Sequence, residues 1–193
     1  MTQPASEVKG LPVFNRHITT HDAEGKAIFQ TPDPDNPDDL TSAPAPPIST
    51  VPTWTNYPGS AFGLGYATQT TSPDFSQNAD LNTFYKYLHE HPPVVIPGGV
   101  VFRVVDMAPG GGSPMHRTVS IDYGVVLEGE IELELDSGEK RLIPRGDMFV
   151  QRGTAHRWRN PSDTQPVRLL VVQADSKEVV IDGKGALPES FSL

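Results

Sequence analysis

The sequence predicts an all-β fold, one barrel or sandwich of short strands, and three observations carry that expectation. The second half of the chain breaks into short β-prone runs separated by glycine and proline turns, with no sustained helical period. Glu130-Ile131-Glu132-Leu133-Glu134-Leu135 alternates acid and aliphatic at every step, the pattern of a strand with one face in a core. No segment repeats, so one barrel is expected rather than two.

Residues 1–11 read as a flexible tail and residues 12–97 as an N-terminal arm packed on the barrel. In the arm, Val13 to Ile18 and Lys26 to Phe29 flank the run His21-Asp22-Ala23-Glu24-Gly25, which predicts a β-hairpin. Residues 31–49 are rich in Asp and Pro, with Pro32, Pro34, Pro37, Pro44, Pro46 and Pro47. Proline lacks the N–H and fixes φ, so this stretch reads as a long surface loop. Residues 50–93 hold Trp54, Tyr57, Phe62, Tyr66, Phe75, Phe84, Tyr85 and Tyr87. They read as an aromatic arm over one barrel face or, alternatively, as a substrate lid. Leu81 to His91 within them predicts one short helix, with Asn78 or Asp80 near its start and Pro92 ending it.

The barrel is expected over residues 98–183, with a tail at 184–193. Its strands are Val100–Val105, Asp122–Leu127, Glu130–Leu135, Lys140–Ile143, Met148–Gln151, His156–Trp158 and Val167–Val172. Pro109 to Gly112 and Asp136 to Glu139 are turns. Gly129, Gly146 and Gly153 read as turn residues that need positive φ or close backbone approach.

Composition removes several function classes. Asp and Glu number 24 against 15 Lys and Arg, for a net charge of -9. Nucleic acid and anionic membrane both call for clustered cations, so the expected partners are small molecules or proteins. Cysteine is absent, which excludes disulfides, thiolate zinc sites and cysteine nucleophiles. Met1 to Glu7 shows no basic segment leading into an apolar one, and no run approaches the ~18 apolar residues of a membrane helix. A cytoplasmic location is the expectation.

Two segments carry the chemistry. The first runs from Pro109 through Gly110-Gly111-Gly112, His116-Arg117-Thr118 and Ser120-Ile121-Asp122-Tyr123 to Gly129. The second runs from Gly146 through Gly153-Thr154-Ala155-His156 to Asn160. Together they resemble the two signature motifs of the cupin superfamily. That family's first motif has two histidines flanking one residue, then a glutamate and a closing glycine. His116 matches the first histidine, Thr118 stands at the second, Asp122 at the glutamate and Gly129 at the glycine. In the second motif Gly146, Gly153, His156 and Asn160 match, while Gln151 replaces the usual proline. The resemblance covers residues 98–174 and implies a single jelly-roll barrel whose inward ligands hold one divalent metal ion: iron, zinc, manganese or nickel. The run from His116 to Tyr123 is similar to small single-barrel cupins of bacteria and of fungal secondary-metabolite pathways. It also implies a homodimer, and an open sheet edge needs cover for physical reasons.

Residue chemistry points the same way. Residues two apart on a strand share a face, so His116 and Thr118 face together, with Asp122 in the same set if the chain stays extended. Two imidazoles and a carboxylate, here His116, His156 and Asp122, form a metal-ligand set with open positions. Thr118 would line an open position or bond a bound water. Asn160 reads as a turn holder, Trp158 as core or pocket wall, and Tyr123 as structural or interfacial. Arg117, Arg152, Arg157 and Arg159 are either solvated surface charges or, as with Arg117, a clamp for a carboxylate or enolate. Arg103, alone in an aliphatic strand, is a second clamp candidate because a buried Arg must be paired. His17 and His21 are candidates to reach the barrel mouth; His89 and His91 read as ordinary residues near a helix end. The expected activity is metal-dependent lyase or isomerase chemistry (decarboxylation, dehydration or enolisation) on a small oxygenated molecule. An iron(II) dioxygenase and a non-catalytic binding barrel are the alternatives.

Overall fold

The structure is a computed structural model that describes residues 8–12, 14, 16–30, 59–90 and 92–191, the His89 side chain aside. Regular structure begins with β1 (Thr19–His21) and β2 (Ala27–Phe29), paired antiparallel. Asp22 builds the turn between them: its Oδ1 accepts from the amides of Glu24 at 3.0 Å and Lys26 at 2.8 Å. The hairpin exists, but its first strand starts at Thr19, beyond the apolar run that predicted it. The expected loop at 31–49, with Trp54, Tyr57 and His91, lies outside the described residues.

β3 (Ser60–Thr68) is the main departure from expectation. The aromatic stretch was expected as an arm or lid, yet this nine-residue segment is a full edge strand of the core sheet. Its alternating Ala61, Gly63, Gly65 and Ala67 are buried, which hides a strand behind small residues of low β-propensity. A register shift between Leu64 and Tyr66 marks a bulge at Gly65. There an added Cβ would meet the Phe102 ring at 2.8 Å. Helix α1 (Ala79–Glu90) follows, close to the predicted span.

The remaining strands are β4 (Val100–Met107), β5 (His116–Arg117), β6 (Ser120–Glu128), β7 (Glu130–Leu135), β8 (Lys140–Pro144), β9 (Met148–Arg152), β10 (His156–Arg159), β11 (Val167–Asp175), β12 (Val179–Ile181), β13 (Gly185–Leu187) and β14 (Ser190–Phe191). They form two five-stranded antiparallel sheets, β3-β4-β11-β6-β9 and β14-β5-β10-β7-β8. Among the described residues no ladder joins the sheets, so the jelly roll is a two-layer sandwich rather than a closed barrel. The core between the layers includes Val126, Ile131, Val167 and Leu169, all nearly fully buried. Each contributes about 1.5–3 kcal/mol by leaving water.

Both expected boundaries of the core domain move outward. At the front, β3 joins the sheet well before residue 98. At the back, β14 from the expected 184–193 tail pairs with β5. Val8, from the expected 1–11 tail, is buried against Ala61 and Val104. An apolar residue in a tail is a short signal, and only its docking site reveals what it does. Among the described residues no helix is long and apolar enough to cross a membrane.

Candidate functional site: a histidine pair facing an aspartate

Strand β5 is only two residues long, and after it the chain leaves one sheet for the other. His116 therefore sits on the β5 side while Asp122 sits on β6 in the facing sheet. The parity argument that placed them on one face fails, because the strand does not stay extended through Thr118 and Val119. They meet instead across the interior. His116 and His156 are direct cross-strand partners of β5 and β10. Their ring centroids are 4.3 Å apart.

A cavity of about 60 Å³ is lined by His116, His156 and Trp158 from one sheet and Arg103, Asp122 and Gln173 from the other. Apolar walls come from Phe62, Phe149 and Leu169. That is room for a few water molecules or the head group of a ligand.

Both histidines are held in the same way. His116 Nδ1 is 3.0 Å from the Pro114 carbonyl, and His156 Nδ1 is 2.9 Å from that of Thr154. A carbonyl can only accept, so Nδ1 carries the proton and Nε2 holds the lone pair. Burial lowers the His116 ring below its usual value. It pushes His156 down to about 4, with the neighbouring His116 adding to the shift. Both rings are neutral near pH 7.

Asp122 ends a buried hydrogen-bonded line. Thr118 Oγ1 and Ser120 Oγ are 2.8 Å apart, and Ser120 Oγ donates to Asp122 Oδ1 at 2.6 Å. Gln173 Nε2, on the paired position of β11, donates to Oδ2 at 3.3 Å. Burial raises the Asp122 carboxyl above the usual range, while Ser120, Gln173 and the charge of Arg103 each pull it back. Thr118 thus orders the line behind Asp122 and is absent from the cavity wall.

Arg103 supplies the charge of the cavity. Its Nη2 donates to the carbonyls of Pro93 at 3.0 Å and Val94 at 3.1 Å. Its Nε is buried with no partner. Burial lowers its guanidinium to about 10, against the pull of Asp122, so it remains charged at neutral pH.

The three expected metal ligands line one cavity without being gathered around a common point. Among the described residues no three His, Asp or Glu side chains stand close enough to hold an ion. Asp122, the expected third ligand, is engaged by Ser120 and Gln173. What the sequence expected of His116 and His156 as near neighbours is present; Asp122 stands opposite them rather than beside them.

The other candidates separate cleanly. Arg117 is off the cavity, with Nη2 3.6 Å from Asp136. Arg157 is exposed and pairs with half-buried Glu134, and Arg152 and Arg159 are exposed. His17 and His21 do not reach this cavity; they line another one on the outer face of the sheet. Asn160 holds a turn, bonding the carbonyls of Ala108 and Gln165 and the amide of Ser162. Gly129, Gly146 and Gly153 all take positive φ. Trp158 is buried and packs on Phe149 and His156. Ser120 and Gln173 were missed by sequence reasoning. Gln173 had a readable signal, a lone amide at the end of an aliphatic run, of the same kind that exposed Arg103.

Known proteins match this sequence. The cupin domain family model matches residues 103–173, which contain the histidine pair, Asp122 and Arg103. A phomopsin biosynthesis cluster protein D of Diaporthe leptostromiformis is 47% identical over 88% of this chain and 82% of its own length. An oryzines biosynthesis cluster protein J of Aspergillus oryzae is 45% identical over 91% of this chain and 90% of its own. A cupin-domain-containing oxidoreductase of Neurospora crassa is 37% identical over 88% of this chain and 77% of its own. On these matches, and on the two-sheet jelly roll that puts both motif histidines in one cavity, the chain belongs to the cupin superfamily.

Proposed function

We propose that this protein is a cupin enzyme of secondary metabolism that moves a proton on a small oxygenated substrate, in an enolisation, decarboxylation or dehydration. The observation that carries this is the neutral His116–His156 pair, both rings pinned at Nδ1, facing Arg103 across one cavity. A pinned neutral imidazole presents the Nε2 lone pair of a general base. A buried guanidinium lining the same cavity suits the oxygen on which negative charge develops. Asp122 and Gln173, hydrogen-bonded to each other, line the same cavity. The biosynthesis-cluster relatives support the metabolic setting.

The test is deuterium uptake, followed by NMR, into a panel of β-keto acids and α-hydroxy ketones in heavy water, before and after chelation. Uptake that survives chelation and disappears in H116N and H156N is the expected result. Uptake that follows metal content, or is untouched by both variants, overturns the reading.

A second reading is favoured by relatives whose names include oxidoreductase. In it, His116 and His156 are two protein ligands of a divalent metal, iron in the dioxygenase version. Elemental mass spectrometry on untagged protein, beside an H116A/H156A double variant, tests it with oxygen consumption as the second readout. Near one equivalent of metal, lost in the variant, and substrate-dependent oxygen uptake would favour this reading over the first. A homodimer remains part of both readings: Tyr123, Val150 and Met148 are exposed side by side on β6 and β9 beside the open β9 edge.

A further inference from the structure

The two five-stranded sheets end in the edge strands β3, β9, β14 and β8. An edge presents unpaired N–H and C=O groups to any strand that reaches it, and folded proteins blunt it. Three of these edges are blunted. β3 carries the bulge at Gly65, and Arg16 Nη1 occupies its Leu64 and Gly65 carbonyls at 3.1 and 3.2 Å. β8 holds Lys140, Arg141 and Pro144, and β14 is two residues long. β9 has none of these devices. It contains no proline, pairs with β6 in unbroken register and has no strand on its other side among the described residues.

That other side has a definite pattern. The Val126 amide donates to the Asp147 carbonyl at 3.1 Å, so residue 147 turns its backbone towards β6. Bonded and non-bonded positions alternate along an antiparallel pair, so Phe149 and Gln151 do the same. The amides and carbonyls of Met148, Val150 and Arg152 therefore face the open side, evenly spaced about Val150. An antiparallel copy turned about a two-fold axis at Val150 meets all of them: Val150 opposite Val150, and Met148 opposite Arg152.

The side chains suit the same arrangement. Met148 and Val150 are 83% and 55% exposed, and Tyr123, paired with Val150 on β6, is 50% exposed. The axis joins this row to its own copy as one apolar stripe. Asp147 precedes the strand and Arg152 ends it, and neither has an ion pair among the described residues. The two-fold brings the acid end of each strand beside the basic end of the other. The strand's own reverse supplies the complement by symmetry, which commits this edge to a second copy of the chain.

We propose that β9 pairs with β9 of a second copy, antiparallel about a two-fold axis at Val150, so that the two sheets run on as one. The assignment rests on the homodimer of the readings above and adds its axis and register; it stands whichever reaction the inner cavity performs. β9 also carries Phe149 into the wall of that cavity, so the second copy steadies an edge strand that lines the site.

The chain has no cysteine, so a single introduced one reports its own neighbour. Directly opposed, hydrogen-bonded residues stand ~5.5 Å apart at Cα, within the span of a disulfide. Under mild oxidation of the full chain, V150C should form a covalent dimer at least about tenfold faster than M148C, because Met148 faces Arg152 and not itself. Exposure alone would favour the reverse order, since Met148 is the more exposed. L142C, exposed on the β8 edge, should link as slowly as M148C. By light scattering the wild type should be a dimer. V150P, which removes an amide that β6 does not use, should be a folded monomer. Should V150P fail to fold by its melting curve, V150K decides by the same measurement, since it sets like charges on the axis. A monomeric wild type overturns the homodimer and this assignment together. A dimer in which V150C links no faster than M148C, or one that survives in the deciding variant, overturns the assignment alone.

Discussion

Two buried arginines on neighbouring strands of one sheet carry opposite lessons. Arg168 on β11 faces outward and is fully engaged. It grips Asp106 with two bonds, and Phe14 lies 4.9 Å beneath it. It also bonds the carbonyl of Pro12, so one side chain ties the N-terminal segment to the sheet. Arg103 on β4 faces inward. It has two backbone carbonyls, an unpartnered Nε and an aspartate that it feels without touching. A buried charge with every donor matched to a rigid partner locks structure. A buried charge left short of partners in a cavity keeps capacity for a ligand. The sheet is thus a lock on one face and a site on the other.

The sharpest way to break this contrast is to remove Asp106. D106L leaves Arg168 buried without its carboxylate, and should cost about 3–5 kcal/mol in urea unfolding. The D106L/R168M double variant should recover a large part of that loss. If D106L unfolds like the wild type, the lock assigned to the outer face is wrong.

Arg103 should show the reverse balance. R103M should lower turnover in the deuterium-uptake assay by about 10²–10³-fold, the loss typical of a donor to a developing oxyanion. It should cost less stability than D106L in the same unfolding experiment. A variant as active as the wild type would make Arg103 a second structural arginine.

Protonation offers a milder perturbation of the inner face. The His156 ring titrates near 4 in the folded protein against 6.5 ordinarily. Between those values the unfolded chain holds a proton that the folded chain refuses, so stability falls as pH drops from 6.5 towards 4. The loss approaches about 3 kcal/mol at the acid end. Asp122, raised by burial, takes its proton more readily in the folded state and offsets part of it. Urea midpoints at pH 7.5 and pH 5 measure the slope, and H156Q should flatten it.

The smallest effect is expected at the surface. Arg157 and Glu134 are paired across β10 and β7 on the outer face of the sheet, Arg157 exposed and Glu134 half-buried. R157Q should leave the melting temperature and deuterium uptake unchanged, because water screens the pair and replaces its bonds. A large loss of activity would return Arg157 to the site.

Much of the fold was legible residue by residue. The Glu130–Leu135 alternation, the glycines at 129, 146 and 153, and the helix stop at Pro92 are local signals with local causes. β3 was not legible, since alternating glycines and alanines carry little strand propensity; what makes it a strand is the edge of β4 beside it. The site was partly legible. His116 and His156 were found through the motif, and Arg103 as the wrong residue in an aliphatic run. Asp122 was found and lines the same cavity, but it comes from the facing sheet, because a two-residue strand ends the extended run on which a shared face depended.

The sequence alone determined strands β4 and β6–β11, where they turn and which side chains do not belong in an apolar core, because those properties come from periodicity, backbone freedom and desolvation. Which sheet each strand joins, and so which polar groups meet, was decided only by the tertiary structure. Sheet pairing satisfies backbone groups from distant parts of the chain, and no local pattern records the partner. That is why His116 meets His156 forty residues later, why Asp122 looks at them from across the sandwich, and why Arg103 is left with a bond to give.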